Sequence, residues 1–350
     1  MSLARYAVRR ILQGIPVLVG VATITFFLSN AIPGNPVDIM LGPSPSQAQA
    51  EAIRSKFGLN RPLWVRYVNY IGDVSPIWIA TTSSFPFVEL TYGVDLGNSI
   101  YYWPTSVTEK IMQRLPQTLL LLVSTFTFAL PTAVALGVVS AHRRNRPTDH
   151  VARVLSLFGV STPSFWIGLM LIIIFSFHLN VLPSTGLVMP WADPVEVGME
   201  TQLGVVLVSI QHLIMPTITL GTLQMAAVTR IERSAMLENL SKDYVRLARA
   251  YGVQENKILR KHAFRPSQLP VITIVGLNLT AALGGAVLTE TVFNINGIGR
   301  LIVGAISRQD YPLIMGTTLF FGVIFVVGVI ITDISYAYVD PRVSYGEEEA

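Results

Sequence analysis

Six long apolar blocks recur along this chain of 350 residues. Each is about 20 to 27 residues long, which is the length that a helix needs to cross roughly 30 Å of hydrocarbon. The first block exceeds the core of a signal peptide, about 7 to 15 residues, so we expect it to be a retained helix. The blocks lie at residues 11–31, 115–141, 154–177, 205–229, 269–289 and 312–332.

Composition agrees with a chain that is solvated mainly by lipid. Apolar residues make up 51% of the sequence and charged residues only 13%, whereas a soluble domain carries about 25% charged residues. The sequence contains no cysteine, which excludes disulfides, thiolate metal sites and cysteine nucleophiles. We therefore predict an all-α, polytopic membrane protein with about six transmembrane helices.

The distribution of lysine and arginine predicts the orientation of the chain. Six spans place both termini on the same side of the membrane. Seventeen of the 25 basic residues lie on that side, and only Arg300 and Arg308 lie in the short segments of the opposite side. Basic residues accumulate in cytoplasmic segments. We therefore expect cytoplasmic N and C termini.

Two connections are too long to be simple loops. The outer one, 32–114, is expected to form a small subdomain. It contains a predicted helix, Ser46–Phe57, with Ser46 as N-cap and Gly58 as stop signal, and a second helix from Pro62 to Tyr70. We therefore divide the chain into a first helix with an extracytoplasmic subdomain (1–110), a five-helix core (111–340) and a cytoplasmic tail (341–350).

The inner connection, 230–268, contains two predicted short helices. The first covers 243–251 and can be capped by Ser241 or Asp243, and Gly252 follows it at the position that favours a left-handed residue. The second covers 254–264 and is expected to end at Arg265-Pro266. An apolar face that must be buried against something is formed by Tyr244, Leu247, Ala248 and Tyr251.

Catalytic and energy-coupling motifs are missing from the sequence. It has no phosphate-binding loop, no H-E-x-x-H metal motif and no G-x-S-x-G nucleophile turn. The six blocks contain no Asp, Glu, Lys or Arg, which ion-coupled carriers use inside their spans. His212 is the only ionisable candidate there, and Glu290 and Asp333 follow span ends, where we expect interfacial solvation. The chain should therefore receive its energy through contact, and the inner connection is the best-placed surface.

The same connection carries a resemblance to a known family. Residues 243–252 read D-Y-V-R-L-A-R-A-Y-G, and R-K-H-A-F-R follows at 260–265. Together they resemble the peptide-permease form of the coupling loop of ABC importers. Asn296 departs from the family's usual proline, and 75–87 looks like an insertion. Further similar segments, in the same order and spacing, lie at 33–36, 57–62, 95–99, 114–118, 162–166, 182–186, 290–301, 310–312 and 340–342.

The resemblance implies a non-catalytic, type I ABC importer permease subunit in the cytoplasmic membrane of a prokaryote. Its implied partners are a second homologous permease, two cytoplasmic ATPases that hold ATP and Mg²⁺, an extracytoplasmic solute-binding protein and membrane lipid. No cofactor on this chain and no nucleic acid are implied. The implied ATPase-coupling helix consists of Asp243, Tyr244, Arg246, Leu247, Ala248, Arg249, Ala250 and Gly252.

The solute remains open within this class. Peptide permeases also resemble importers of nickel and of oligosaccharides, so either solute is an alternative to a dipeptide or oligopeptide. A stand-alone secondary carrier is the alternative from another class. The absence of charged residues in the six apolar blocks argues against that carrier.

Overall fold

The computed structural model describes residues 3–31, 37, 41, 46–75, 77–80, 89–92 and 94–339. In this part of the chain, helices dominate and one antiparallel hairpin is the only sheet. The elements of the first half are α1 (Leu3–Ala31), α2 (Gln47–Lys56), α3 (Leu63–Val74), β1 (Ile77–Ala80), β2 (Glu89–Tyr92), α4 (Val107–His142) and α5 (Pro147–Ser161). The all-α prediction is confirmed apart from this hairpin, which pairs Ile77 with Tyr92.

Long helices also form most of the second half. Two short π-helical segments continue helices, Ile172–His178 after α6 and Ile258–Ala263 after α10. The helices are α6 (Ser164–Leu171), α7 (Pro194–Val197), α8 (Gln202–Leu240), α9 (Asp243–Ala250), α10 (Glu255–Lys257), α11 (Phe264–Val292), α12 (Ile298–Ser307) and α13 (Tyr311–Val339). The segments 33–36 and 340–342 and the tail 341–350 lie outside the described residues.

Four described helices are long and apolar enough to cross a membrane, and a bent pair raises this number to five. The four contain Val8–Ala31, Val107–His142, Gln202–Leu240 and Tyr311–Ser335. The fifth predicted block, 269–289, lies within α11, which has 29 residues. At 1.5 Å per residue, a helix of this length extends over roughly 43 Å.

The third predicted block, 154–177, is not one straight helix. Its residues are divided between α5 and the helical stretch Ser164–His178, which consists of α6 and its π-helical continuation. The two are bent by 105° relative to each other. Thr162 and Pro163 between them have extended backbones, with ψ of 130° and 132°. Proline disfavours helical conformation in the residue before it, so the break coincides with the Thr162-Pro163 step. The apolar pattern could not reveal this break because it continues on both sides.

The predicted helices of the outer connection are confirmed. Ser46 caps α2 in a reciprocal capping box with Gln49. Gly58 follows with φ of +62°, which favours glycine. Pro62 precedes α3, which ends four residues beyond the predicted Tyr70. Strand β1 begins inside the suspected insertion, 75–87.

Contacts divide the chain into two units, which we describe separately. The larger unit comprises Met1–Val8, Gln117–Arg300 and Val327–Ala350, and the smaller comprises Arg9–Pro116 and Leu301–Val326. The predicted division into 1–110 and 111–340 stays a prediction.

In the smaller unit, the fully buried carboxylate of Asp310 precedes α13 and joins two of the family-like segments. It accepts hydrogen bonds from the backbone N–H groups of Ile100 and Tyr101 at 3.1 Å and of Leu313 at 3.3 Å. It also accepts a hydrogen bond from the Ser99 hydroxyl. The segments 95–99 and 310–312 are therefore parts of one hydrogen-bonded cluster.

In the larger unit, the carboxylate of Glu290 is also fully buried. It accepts a hydrogen bond from Thr118 Oγ1 at 2.7 Å and one from Arg300 N at 3.0 Å. A β-carbon at Gly297 would collide with this carboxyl group. The expected interfacial solvation of Glu290 is wrong, because Thr118 and the N-terminal backbone of α12 replace water as hydrogen-bond donors.

Candidate functional site

Helix α9 and the turn that follows it form the candidate site. The helix begins after Lys242, which is its N-cap and makes no side-chain capping bond. The expected capping by Ser241 or Asp243 is wrong, because both side chains are used elsewhere. Ser241 Oγ donates to the Glu238 carbonyl at 2.7 Å, and Asp243 lies in the first turn, where its carboxylate pairs with Arg246 at 3.3 Å. A negative charge at that position still favours the helix N-terminus.

The predicted end of this helix at Gly252 is confirmed. Gly252 has φ of +74° and donates its N–H to the Arg249 carbonyl at 2.9 Å. Val253 N donates to the Ala248 carbonyl at 3.1 Å. These two bonds are those of a Schellman motif, which satisfies carbonyls at the end of a helix. The motif turns the chain sharply away from α9.

One apolar side chain fixes α9 to the rest of the larger unit. Val245 is fully buried, whereas most of its neighbours on the helix are exposed. The Tyr244 hydroxyl adds hydrogen bonds to Asn239 Oδ1 at 3.0 Å and to the His262 carbonyl at 3.2 Å. Since Asn239 belongs to α8 and His262 precedes α11, these contacts tie α9 to both long helices.

The second predicted short helix, 254–264, does not end at Arg265-Pro266. Helix α10 continues through the π-helical segment Ile258–Ala263 into α11. Pro266 is tolerated inside this continuous helical stretch because the carbonyl that loses its backbone donor accepts another one. It has no N–H to donate to the carbonyl of His262, four residues earlier, and that carbonyl accepts the Tyr244 hydroxyl instead.

The opposite face of α9 is apolar and exposed. Leu247 retains 57% of its accessible surface and Tyr251 retains 80%. Tyr244 is exposed by 43%, Ala250 is exposed and Ala248 is partly buried. The structure thus brings most of the predicted apolar face together on one side of a short, anchored helix. Within the described chain nothing covers this face.

Charged pairs border the exposed face. Arg249 donates two hydrogen bonds to Glu255, at 2.8 Å and 3.2 Å. The hydrogen bond from Arg249 lowers the pKa of Glu255, and the same bond raises the pKa of Arg249. Arg246 is paired less closely, with Asp243. Glu255, which the sequence did not single out, therefore fixes Arg249 against the turn after α9.

A buried ion pair holds α8, the helix that precedes α9, against its neighbours. Arg233 on α8 donates to both oxygens of Asp149 on α5, at 2.7 Å and 3.0 Å. Ser140 Oγ on α4 and Asn145 N also donate to this carboxylate, at 2.6 Å and 2.8 Å. Asp149 is fully buried, so its full set of donors compensates for lost hydration. Three helices are held together at this point.

A second buried carboxylate joins α8 to α11. Glu232 accepts hydrogen bonds from Ser267 Oγ at 3.2 Å and from Gln268 Nε2 at 3.0 Å. A β-carbon at Gly137 would lie 2.6 Å from Glu232 Cβ, so only glycine permits this approach of α4. Sequence reasoning missed Asp149, Glu232 and Arg233, since they lie just beyond the apolar blocks and their partners are far away in the sequence.

Comparison with known proteins identifies the family. Residues 133–345 match the family described as "Binding-protein-dependent transport system inner membrane component", and residues 3–122 match its N-terminal family. The chain belongs to this family. The match confirms the resemblance that the family-like segments, in their order and spacing, indicated. The family is a membrane component of transport systems rather than an enzyme. A multi-pass membrane protein follows from the same match and from the apolar helices.

Relatives of similar length extend over nearly the whole chain. The oligopeptide transport system permease protein AppB of Bacillus subtilis is 39% identical over 98% of this chain and 100% of its own length. The dipeptide transport system permease proteins DppB of Alkalihalophilus pseudofirmus and of Escherichia coli K12 are 38% and 33% identical, each over 97% of this chain and 99% of their own. A chain of the MetNI methionine ABC transporter aligns over 67% of this chain and 94% of its own, with 14% identity and a TM-score of 0.45.

Proposed function

We propose that this chain is a channel-forming permease subunit of a type I ABC importer for dipeptides or oligopeptides. Its family membership supports the transport role. The names of its full-length relatives, which are oligopeptide and dipeptide permeases, support a peptide as solute. Importers of nickel or of oligosaccharides stay as alternatives within this class.

The observation that carries the proposal is the anchored, partly uncovered helix α9. Val245 and Tyr244 fix the helix to the unit, while Leu247 and Tyr251 expose apolar surface. Exposed apolar surface beside charged residues is typical of a protein contact. We assign this contact to a cytoplasmic ATPase, with Asp243, Tyr244, Arg246, Leu247, Ala248, Arg249, Ala250 and Gly252 as the coupling residues.

The contacts among the helices that surround α9 are suited to transmit movement of such a partner. Asp149–Arg233 joins α4, α5 and α8, and Glu232 joins α8 to α11. Apolar packing of Ala141, Met236, Leu259 and Ala263 fills the space between them. Closure of the ATPases would therefore move these helices together, and alternating access needs two packings of such elements.

The remaining parts of the proposal concern assembly and orientation. The chain pairs with a second homologous permease, two ATPases that bind ATP and Mg²⁺, and a solute-binding protein outside the membrane. It lies in the cytoplasmic membrane of a prokaryote with both termini inside. The asymmetry of lysine and arginine supports this orientation. Residues 1–110 then carry the outer subdomain, and 230–268 is the cytoplasmic coupling loop.

Uncoupling of the reconstituted importer tests this function. We expect Leu247→Asp to reduce both peptide uptake and peptide-dependent ATP hydrolysis at least about tenfold, since it places a charge in an apolar contact. Gln254→Asp introduces the same charge change on an exposed residue of the same loop and should leave both rates unchanged. Transport at the unmodified rate by the Leu247→Asp importer would contradict the proposal.

Solute and energy source are tested in the same proteoliposomes. Labelled dipeptide, nickel and oligosaccharide are offered in turn with the binding protein present, and we expect ATP-dependent uptake of the peptide alone. The carrier alternative predicts uptake by this chain without its partners, driven by an ion gradient. We expect no such uptake.

A further inference from the structure

A cavity of the larger unit lies between α5 and α8, and no residue of α9 lines it. Its volume is about 290 Å³, and Ser140 of α4 contributes to its lining. Arg153, Arg230 and Arg233 also line it. The proposed coupling role uses Arg233 through its pair with Asp149, but it uses neither this cavity nor Arg153 and Arg230.

The cavity carries an excess of positive charge. Asp149 is a carboxylate that contacts two of these arginines, and Arg233 binds both of its oxygens. Arg153 lies 3.6 Å from the same carboxylate, and one of its guanidinium nitrogens lies 2.8 Å from His150 Nδ1, so part of its donor set stays open. Arg230 is exposed and makes no hydrogen bond or ion pair within the described residues. Among the described residues, the cavity lining thus holds three guanidinium groups and no carboxylate, and Asp149 behind it compensates for one of the three charges.

Part of the cavity lining is apolar. It includes Leu157 and Val160, which lie one and two turns along α5 from Arg153. Seven residues of helix correspond to about 10 Å, so Val160 lies well away from Arg153 along the helix. Leu157 is exposed by 68%, and its neighbours Val154 and Leu155 are exposed by 66% and 58%. This helix surface is suited to contact with hydrocarbon.

We propose that this cavity binds the headgroup of an anionic phospholipid in the cytoplasmic leaflet. Arg230 and Arg153 would bind the phosphate oxygens, because guanidinium groups match phosphate in charge and geometry. The acyl chains would lie along Leu157 and Val160. A free phosphate would satisfy the arginines but would leave the apolar lining, Leu157 and Val160, without a partner. The proposal rests on the proposed orientation, which puts the arginines at the inner surface.

Native mass spectrometry can count the lipids that stay bound to the full-length chain. The protein, alone and in its complete complex, is released from nanodiscs that contain equal amounts of phosphatidylglycerol and phosphatidylcholine. We expect one enriched phosphatidylglycerol per chain. Arg230→Gln should lower the ratio of bound phosphatidylglycerol to phosphatidylcholine about fivefold, the effect of one basic residue near a membrane surface.

Two further variants distinguish a specific lipid site from general electrostatic attraction between anionic lipid and basic residues. Ser234→Glu places a negative charge at an exposed position that lines the cavity and should reduce the ratio as strongly while all arginines remain. Arg144→Gln removes the same charge from an exposed residue outside the cavity and should leave the ratio unchanged. An equal loss in Arg144→Gln, or no loss in Arg230→Gln, would overturn the proposal.

Competition with a soluble phosphate and measurement in the complete complex test the lipid assignment further. Displacement of phosphatidylglycerol by millimolar glycerol 3-phosphate would identify a free-phosphate site instead and overturn the lipid assignment. Loss of the bound lipid in the complete complex would mean that a partner subunit covers the cavity, which also contradicts it. Cysteine labelling measures the orientation of the chain independently of lipid binding. Failure of the proposed orientation can therefore be distinguished from failure of the lipid site alone.

Discussion

At the scale of single residues, Gly252 is the clearest link between the sequence and the candidate site. Its φ of +74° favours glycine, while a β-carbon there would meet no atom within 4 Å. The cost of Gly252→Ala is therefore conformational, about 1 kcal/mol. We expect hydrogen exchange at Val253 and the last turn of α9 to accelerate about fivefold. Gly252→Asn should have a smaller effect, because asparagine tolerates this conformation better.

Gly20→Ala is the matched control for this prediction. Gly20 also has open space around it, but it lies inside α1 without a positive φ. Alanine is the better helix former there, so exchange in α9 should not change. Equal effects of both substitutions on α9 would show that the left-handed turn is not the cause.

Local signals in the sequence correctly predicted two of the helix-capping residues. The buried carboxylates were not predicted, because their partners are distant in the sequence. Ser46 and Gly252 follow rules that involve only a few neighbouring positions. Glu290 meets Thr118, and Asp149 meets Arg233, only after the helices pack. Pairs so distant in the chain leave no local signal in one sequence, so the apolar pattern places Glu290 at the membrane–water interface and does not single out Asp149.

At the scale of elements, the ion pair between Arg249 and Glu255 fixes the turn from α9 to α10. Its hydrogen bond lowers the pKa of Glu255 below the ordinary value of 4.5. The contribution of this pair is therefore fully present above pH 4.5 and is lost as the pH falls through the lowered pKa. Both side chains are 44% exposed, so the effect on stability should stay below about 1 kcal/mol.

An NMR titration of the Glu255 carboxyl group measures this shift directly. We expect a pKa below 4.5 in the unmodified chain and a return towards 4.5 in Arg249→Gln. Arg246→Gln is the control on the same helix, since Arg246 pairs with Asp243 rather than Glu255. An unchanged pKa in Arg249→Gln would mean that the pair does not form in solution.

Helix positions followed from apolar blocks, whereas bends and helix ends did not. The blocks at 115–141 and 312–332 lie inside α4 and α13, but these helices continue into polar sequence. The length of an apolar block indicates which part of a helix is solvated by lipid. It does not indicate where the backbone hydrogen bonds of the helix end. The 105° bend at Thr162-Pro163 and the continuation of the π-helical segment Ile258–Ala263 into α11, past Pro266, arise from backbone geometry that hydropathy does not record.

At the scale of the whole molecule, the family match extends over nearly the entire chain, yet the orientation stays a prediction. The absence of cysteine makes every introduced cysteine unique. Gln254→Cys should react with a membrane-impermeant maleimide only after the cells are opened. Thr185→Cys, exposed on the opposite side by the basic-residue count, should react in intact cells. The reverse pattern would contradict cytoplasmic termini.

The central claim is that the exposed face of α9 receives energy by contact with an ATPase. A benzophenone maleimide attached to Leu247→Cys in the complete importer tests this contact most directly, with Thr185→Cys as the control on the other side. After illumination, we predict an adduct between this chain and the ATPase from position 247 and none from position 185. Adducts from position 247 with lipid or the second permease alone would contradict the account.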